Sequence, residues 1–176
     1  MKSMKNIVVI MLCVFGMCQG LQAQAPYKHS IGVTVGNFEA LSYKTFLANH
    51  LALQLDLGYK YTYAAHRYGS FYVPSVELNP NLMYEGHFTK GLYGFLGGGV
   101  SLGYSWIASH AYPSHAYLVH DYGKFGVNGI LGLEYKFNIP LTLQLDFRPG
   151  YGMLFDNDVR ANYFDWSVNL GVRYTF

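Results

Sequence analysis

The chain has 176 residues, 51% of them hydrophobic, 18% aromatic and only 12% charged, with 12 Lys plus Arg against 10 Asp plus Glu. That length suits one domain, and so even a balance of charge leaves no field to attract nucleic acid or an anionic surface. The only cysteines, Cys13 and Cys18, fall in the leader described next, so the exported chain is expected to have neither a disulfide frame nor a reactive thiol.

Lys2 and Lys5 precede an apolar run from Ile7 to Met17, and CQGLQAQA then supplies the small residues that signal peptidase accepts. The run is too short to span a bilayer comfortably. Residues 1–23 therefore read as a secretory signal peptide cleaved after Ala23, with Ala25 as the alternative, and residues 24–176 as one domain. Met17 stands beside Cys18 where lipoprotein processing needs a small residue, which argues against a lipid anchor. Losing Lys2 and Lys5 leaves ten basic residues against ten acidic.

Past residue 25 nothing approaches the roughly 20 apolar residues of a membrane helix. Segments of period two recur instead, the pattern of strands with two differently solvated faces. They are predicted at 30–37, 40–48, 51–63, 74–86, 92–106, 122–137, 141–153 and 162–176. The connections after the second, fourth and sixth are short turns (ANH, HFTKG, NIP). Those after the third, fifth and seventh are longer polar loops at 64–73, 107–121 and 154–162, and only the first connection, around NFEA, breaks the rule. Tight turns at one end and long loops at the other predict an eight-stranded, antiparallel up-and-down β-barrel threaded through a membrane.

The alternation also sorts the charges. In the third segment Leu51, Leu53, Leu55, Leu57, Tyr59, Tyr61 and Tyr63 share one face, and Gln54, Asp56 and Lys60 the other. Applied to every segment, this puts Lys44, Lys60, Lys124, Lys136, Arg148 and Arg173 on the polar face with Asp56, Glu77, Glu85, Glu134, Asp146 and Asp165, and no charge on the apolar face. The matched signs suit pairing in a narrow, dry interior, where an unpaired ion costs several kcal/mol. Most strand glycines, Gly58, Gly97, Gly126, Gly132 and Gly152 among them, share that polar face, where small residues relieve crowding. The polar face is thus read as the inside. Phe46, Met83, Phe95, Ile130 and Tyr163 are expected to fill the lumen further. Aromatic residues such as Tyr59, Tyr104, Trp106, Tyr135, Trp166 and Tyr174 gather near strand ends, as membrane girdles do.

The last segment, DWSVNLGVRYTF, alternates strictly and ends on Phe176. On this strand and on the eight-segment rhythm the mature chain resembles the small eight-stranded outer membrane β-barrels of Gram-negative bacteria, the group of the OmpX-type proteins and the membrane domain of OmpA. The resemblance implies that the terminal strand, with Phe176, is the signal read by the barrel assembly machinery. It also implies residence in the outer membrane among its lipid and lipopolysaccharide, as a barrel able to stand as a monomer. A fold that hosts many functions does not by itself name this one.

Candidate chemistry is sparse. His110, His115 and His120 recur at five-residue intervals beside Asp121, a spacing that matches no standard metal motif. The segment reads instead as an aromatic contact loop. Tyr68, Phe71, Tyr72, His110, Tyr112, His115 and Tyr117 are the candidate contact residues for an extracellular partner. The resemblance also raises lipid A-editing enzymes of the same architecture. Their Ser/His/acid or loop His chemistry is not expected here, because all seven histidines fall outside the predicted strands and the outward face carries no acid. A narrow channel is the other alternative, disfavoured because eight strands enclose a space that side chains fill. The expectation is a non-enzymatic barrel, without cofactor or metal, serving envelope integrity or surface interaction, with Lys44, Asp56, Lys60, Glu77, Glu134, Lys136, Asp146, Arg148, Asp165 and Arg173 as a structural ion network.

Overall fold

A computed structural model describes residues 26–66, 69–111, 116–155 and 160–176, with side chains except at 62–66, 69–73, 107–111 and 116–120. The described chain is all β. In order, β1 is His29–Gly36, β2 Phe38–Ala48, β3 Leu51–His66, β4 Gly69–Thr89, β5 Leu92–Ala111, β6 Ala116–Lys136, β7 Leu141–Phe155 and β8 Arg160–Thr175. Each strand pairs antiparallel with the next, and β1 pairs with β8 to close the ring. The eight-stranded up-and-down barrel expected from the period-two rhythm is the fold observed.

At the tight-turn end the expected boundaries are within a few residues of those seen. At the other end they are not. The segments taken for long loops are largely strand: β3 runs on to His66, β5 to Ala111 and β7 to Phe155, while β4, β6 and β8 start early. Alternation is visible only while one face is apolar. Beyond that level apolar and polar residues no longer alternate regularly, yet the ladder continues from strand to strand, as in His66 opposite Gly69 and Ala111 opposite Ala116.

Chain chemistry explains the local departures from a regular ring. The β4–β5 ladder skips between Leu78 and Asn81, and the β6–β7 ladder between Asn128 and Leu131, at Pro80 and Pro149, which have no N–H to donate. The first hairpin is short. Its turn is made by Gly36, whose φ of 143° is disfavoured for residues with a side chain, and whose added Cβ would stand 2.3 Å from the Val168 carbonyl oxygen. Because β1 and β2 end there, β3 meets β8 directly above them, with Ala64 opposite Tyr163. The ring thus passes from eight strands to six at its long-strand end.

Burial alternates as the strands do. Along β8 Asp165, Ser167, Asn169 and Arg173 are buried, whereas Phe164 is 65% exposed and Trp166 53%. The inside also holds Phe46, Met83, Phe95, Ile130 and Tyr163. Glycines make the room these rings need: a Cβ at Gly126 would meet the Tyr163 hydroxyl at 2.4 Å, and one at Gly132 the Phe95 ring at 2.6 Å. Phe176 lies 59% exposed at the tight-turn end, its backbone exchanging hydrogen bonds of 2.9 and 3.0 Å with His29.

Two expectations fail with the strand boundaries. His29, His66, His87, His110 and His120 all lie in strands, because the ladder extends beyond the apolar band at both ends. Glu39 and Asp121, read as turn and loop residues, belong to β2 and β6 and are exposed on the outward face, so that face does carry acids.

Candidate functional site

Among the described residues the ionisable side chains converge in the lumen, which is built in three tiers. Nearest the six-stranded end, Lys60 of β3 reaches across to Asp165 of β8 at 2.7 Å. Lys124 pairs with Glu77, stands 3.7 Å from Asp165 and sits 4.4 Å from the centre of the Tyr163 ring. Ser75 donates to Glu77 at 2.7 Å. A cavity of about 20 Å³ lies among Lys60, Glu77, Lys124, Tyr163, Asp165 and Phe38, room for about one water.

In the middle tier a single guanidinium serves two carboxylates. Arg148 donates from Nε and Nη2 to Asp146 at 2.7 and 3.1 Å, and from Nη1 to Asp56 at 2.7 Å. The carboxylate left in excess is compensated by amide donors. Gln54 donates to both oxygens of Asp56, while Gln144 and Asn169 donate to Asp146 at 2.8 and 2.9 Å. Each of these donors comes from an inward position two residues along a strand or on a neighbouring one, which is where the pleat brings side chains together. Phe38 closes the tier from the first hairpin, its ring 5.9 Å from the Arg148 guanidinium carbon.

The third tier faces the tight-turn end. Lys44 bridges Glu85 and Glu134, the latter at 2.9 Å, and Arg173 adds Ser42 at 3.0 Å and Glu134 at 3.6 Å. Below it the apolar side chains of Phe46, Ala52, Met83, Phe95 and Ile130 fill the section, and Tyr27, from the lead before β1, packs against them. Its hydroxyl donates to Glu134 at 2.7 Å and its ring meets Phe46 edge-on at 5.2 Å.

Of the sequence-derived network, the lumen brings together Lys44, Asp56, Lys60, Glu77, Glu134, Asp146, Arg148, Asp165 and Arg173, with Glu85 and Lys124. Lys136 is a correction. It stands at the mouth, and its ammonium donates to the carbonyls of Phe137 and Ile139 at 2.8 and 2.7 Å, because the short β6–β7 turn presents those oxygens closer than any carboxylate. Sequence reasoning missed Tyr27, which precedes any strand, and gave no role in the network to the amides Gln54, Gln144 and Asn169, whose neutral side chains offered no charge to sort. Their inward parity alone could have found them.

The candidate contact residues divide differently. Tyr68, Tyr112 and His115 lie outside the described residues. The backbone puts Phe71 opposite Ala64, Tyr72 opposite Tyr63 and His110 opposite Tyr117, in the strand extensions rather than in loops, and their side chains are likewise outside the description. Elsewhere, the His29 ring nitrogen is engaged by Tyr43 and Thr45 at 2.9 and 3.1 Å, and that of His50 by the Glu85 carbonyl at 3.1 Å. Among the described residues no group of three or more His, Cys, Asp or Glu could hold a metal. What the lumen can do chemically is hold its walls together: its ions are buried and paired across strands distant in sequence.

No protein-family model matches the chain, and no curated protein sequence matches it. Among solved structures it is similar to the N-terminal β-barrel domain of Pseudomonas aeruginosa OprF, with a TM-score of 0.51 and 17% identity, covering 88% of this chain and 100% of that one. At that identity the likeness is one of fold, and it agrees with the OmpA-like barrel architecture.

Proposed function

We propose that this chain is a non-enzymatic outer membrane β-barrel of a Gram-negative envelope, exported by a cleaved leader over residues 1–23, which supports envelope integrity or makes surface contacts through its long-strand end. The observation that carries this reading is the inversion of the two faces. Leu41, Leu57, Leu145, Phe164 and Trp166 stand more than half exposed around the ring, while Lys44, Asp56, Glu134 and Arg173 are sealed inside. Soluble proteins do not expose an apolar belt that encircles the molecule. The belt's height fits a membrane. From Leu51 to Tyr61 a strand tilted at about 40° rises roughly 25 Å, close to the apolar band of outer membrane barrels.

Residence among outer membrane lipid and lipopolysaccharide follows from that reading, as does delivery by the barrel assembly machinery through the terminal strand and Phe176. The extracellular partner would meet Tyr68, Phe71, Tyr72, His110, Tyr112, His115 and Tyr117. The lumenal ions pair with one another across the barrel's own strands, so no second copy is needed to neutralise them, which supports a monomer. The filled lumen, and the lack of a nucleophile set beside a base among the described residues, favour a platform over a channel or a lipid A-editing enzyme.

The test is recovery and gel mobility. The mature chain is expected in the membrane fraction, extractable only with detergent, and to migrate faster unboiled than boiled because a closed barrel resists detergent. A mature chain freely soluble after cell breakage would overturn the reading. Lipid A mass spectrometry with and without the gene, and conductance across a planar bilayer, are expected to be unchanged and flat. Acyl editing or steady conductance would replace the platform with one of the two rivals.

A further inference from the structure

The tight-turn end carries three lysines that the charge pairing of the lumen leaves out. Lys28 precedes β1, Lys90 stands in the β4–β5 turn and Lys136 ends β6. Lys44, Lys60, Lys124, Arg148 and Arg173 each meet a carboxylate inside the barrel, whereas these three meet none among the described residues. Lys136 is nevertheless held in place, because its ammonium donates to the carbonyls of Phe137 and Ile139 and keeps one N–H to spare. The acids of this end, Glu85 and Glu134, are sealed inside, and the acids that stand exposed among the described residues, Glu39 and Asp121, belong to the opposite end. One rim is therefore cationic, with no acid side chain beside it.

The same rim is apolar. Leu47, Phe88, Ile139 and Phe176, one at each of the four places where strands join or end there, stand more than half exposed. Phe88 lies against the outward wall: a Cβ on Gly94, which is in phase with outward Leu96, would stand 2.3 Å from its ring. Each lysine neighbours one of these side chains. Lys90 follows Phe88 by two residues, Lys136 is bound to the Ile139 carbonyl, and the Lys28 carbonyl accepts the amide hydrogen of Phe46, beside Leu47. A polyanion in water would meet the lysines and leave the apolar side chains wet. A phospholipid leaflet supplies phosphate and hydrocarbon together, at a separation that a lysine stem can span.

We infer that this rim binds anionic phospholipid, with headgroup phosphates against Lys28, Lys90 and Lys136 and acyl chains packed on Leu47, Phe88 and Ile139. An anionic headgroup fits better than a zwitterionic one, because the latter brings its own cation to a rim that offers no acid side chain to receive it. The proposal rests on the membrane-spanning reading above, and the experiment separates the two.

The refolded chain is placed in phosphatidylcholine vesicles holding a trace of phosphatidylglycerol or phosphatidylcholine spin-labelled near the end of one acyl chain. Electron spin resonance then reads the fraction of label held at the protein surface. The anionic lipid is expected to associate about two- to five-fold more strongly at low salt, the effect of about one lysine near a headgroup, and to lose most of that preference at about 1 M salt. Lys28→Gln, Lys90→Gln and Lys136→Gln in one chain should abolish the preference with gel mobility unchanged. Should that chain fail to fold, Lys28→Gln with Lys90→Gln, both at exposed positions, is expected to remove most of it. Arg160→Gln, exposed at the opposite end, should leave it intact. Equal association of the two lipids, a preference that survives the lysine substitutions, or one lost with Arg160→Gln would overturn the site. Equal association together with lysine-dependent retention of the detergent-solubilised chain on immobilised polyphosphate would assign the lysines to a soluble polyanion and overturn it as well. A protein-held component absent for both labels would instead sink the membrane reading itself.

Discussion

Replacing Arg148 with alanine removes the one cation that serves two buried carboxylates. Three donor contacts of 2.7 to 3.1 Å disappear. Asp146 keeps Gln144 and Asn169, and Asp56 keeps Gln54, so each retains neutral donors but no counter-charge. Breaking a buried pair by deleting one partner costs about 3–5 kcal/mol, and because two acids lose the same counter-charge the upper half of that range is expected. Each 1.4 kcal/mol is a factor of ten, so the folded-to-unfolded ratio should fall by more than about 100-fold relative to the parent. The assay is reversible urea unfolding in detergent or short-chain lipid vesicles, followed by tryptophan emission and by the heat-modifiable gel shift. The decisive control removes the charges together. Asp56→Asn, Asp146→Asn and Arg148→Met in one chain should recover most of the loss, to within about 1–2 kcal/mol of the parent, because no ion is left unpaired. If Arg148→Ala unfolds within about 1 kcal/mol of the parent, the carboxylates are solvated by water and the closed, dry lumen is wrong.

Lys60→Ala should cost less, about 1–2 kcal/mol by the same urea titration, because its pair with Asp165 lies at the wetter end of the lumen and Lys124 remains 3.7 Å from that carboxylate. Gly126→Ala drives a methyl against the Tyr163 hydroxyl and should cost about 1–3 kcal/mol, the usual range for overpacking. Tyr163→Phe in the same chain should return most of it, and a double-mutant cycle with no coupling would refute the contact. Tyr27→Phe removes only the hydroxyl that donates to Glu134 and should cost about 1–3 kcal/mol, as a hydrogen bond to a charged acceptor does. An unchanged midpoint would show that the lead before β1 does not enter the barrel.

How much of this was legible in the sequence depends on what each part of the fold uses as its signal. The apolar belt and the inward ions announce themselves through one phase choice per strand, so Asp56, Asp146 and Arg148 could be set on one face before any geometry was known. The extensions beyond the belt could not. Around Tyr72 and His110 hydrophobicity stops alternating in the sequence, while the backbone ladder, which leaves no mark on composition, carries the strands on. The same blindness hid Glu39 and Asp121, acids that break the apolar face where it meets the interface, where a charge is tolerated. It also hid the change from eight strands to six, because that change depends on how far the short first hairpin reaches relative to its neighbours.

That last feature shows why the lumen and the ring geometry have to be explained together. Above the tip of the first hairpin, β3 and β8 must close the wall that β1 and β2 no longer supply, yet the register joins them only at Ala64 and Tyr163. The ion pair between Lys60 and Asp165 spans those same two strands just below that bridge. Phe38, at the start of β2, lines the small cavity that both this pair and Arg148 of the middle tier face, its ring 5.9 Å from the guanidinium carbon. This one ion pair is therefore placed where the backbone ladder is thinnest, at the junction of β3 with β8. A barrel whose first hairpin was as long as the others would have a continuous ladder at that level and no need for a cross-strand ion pair there.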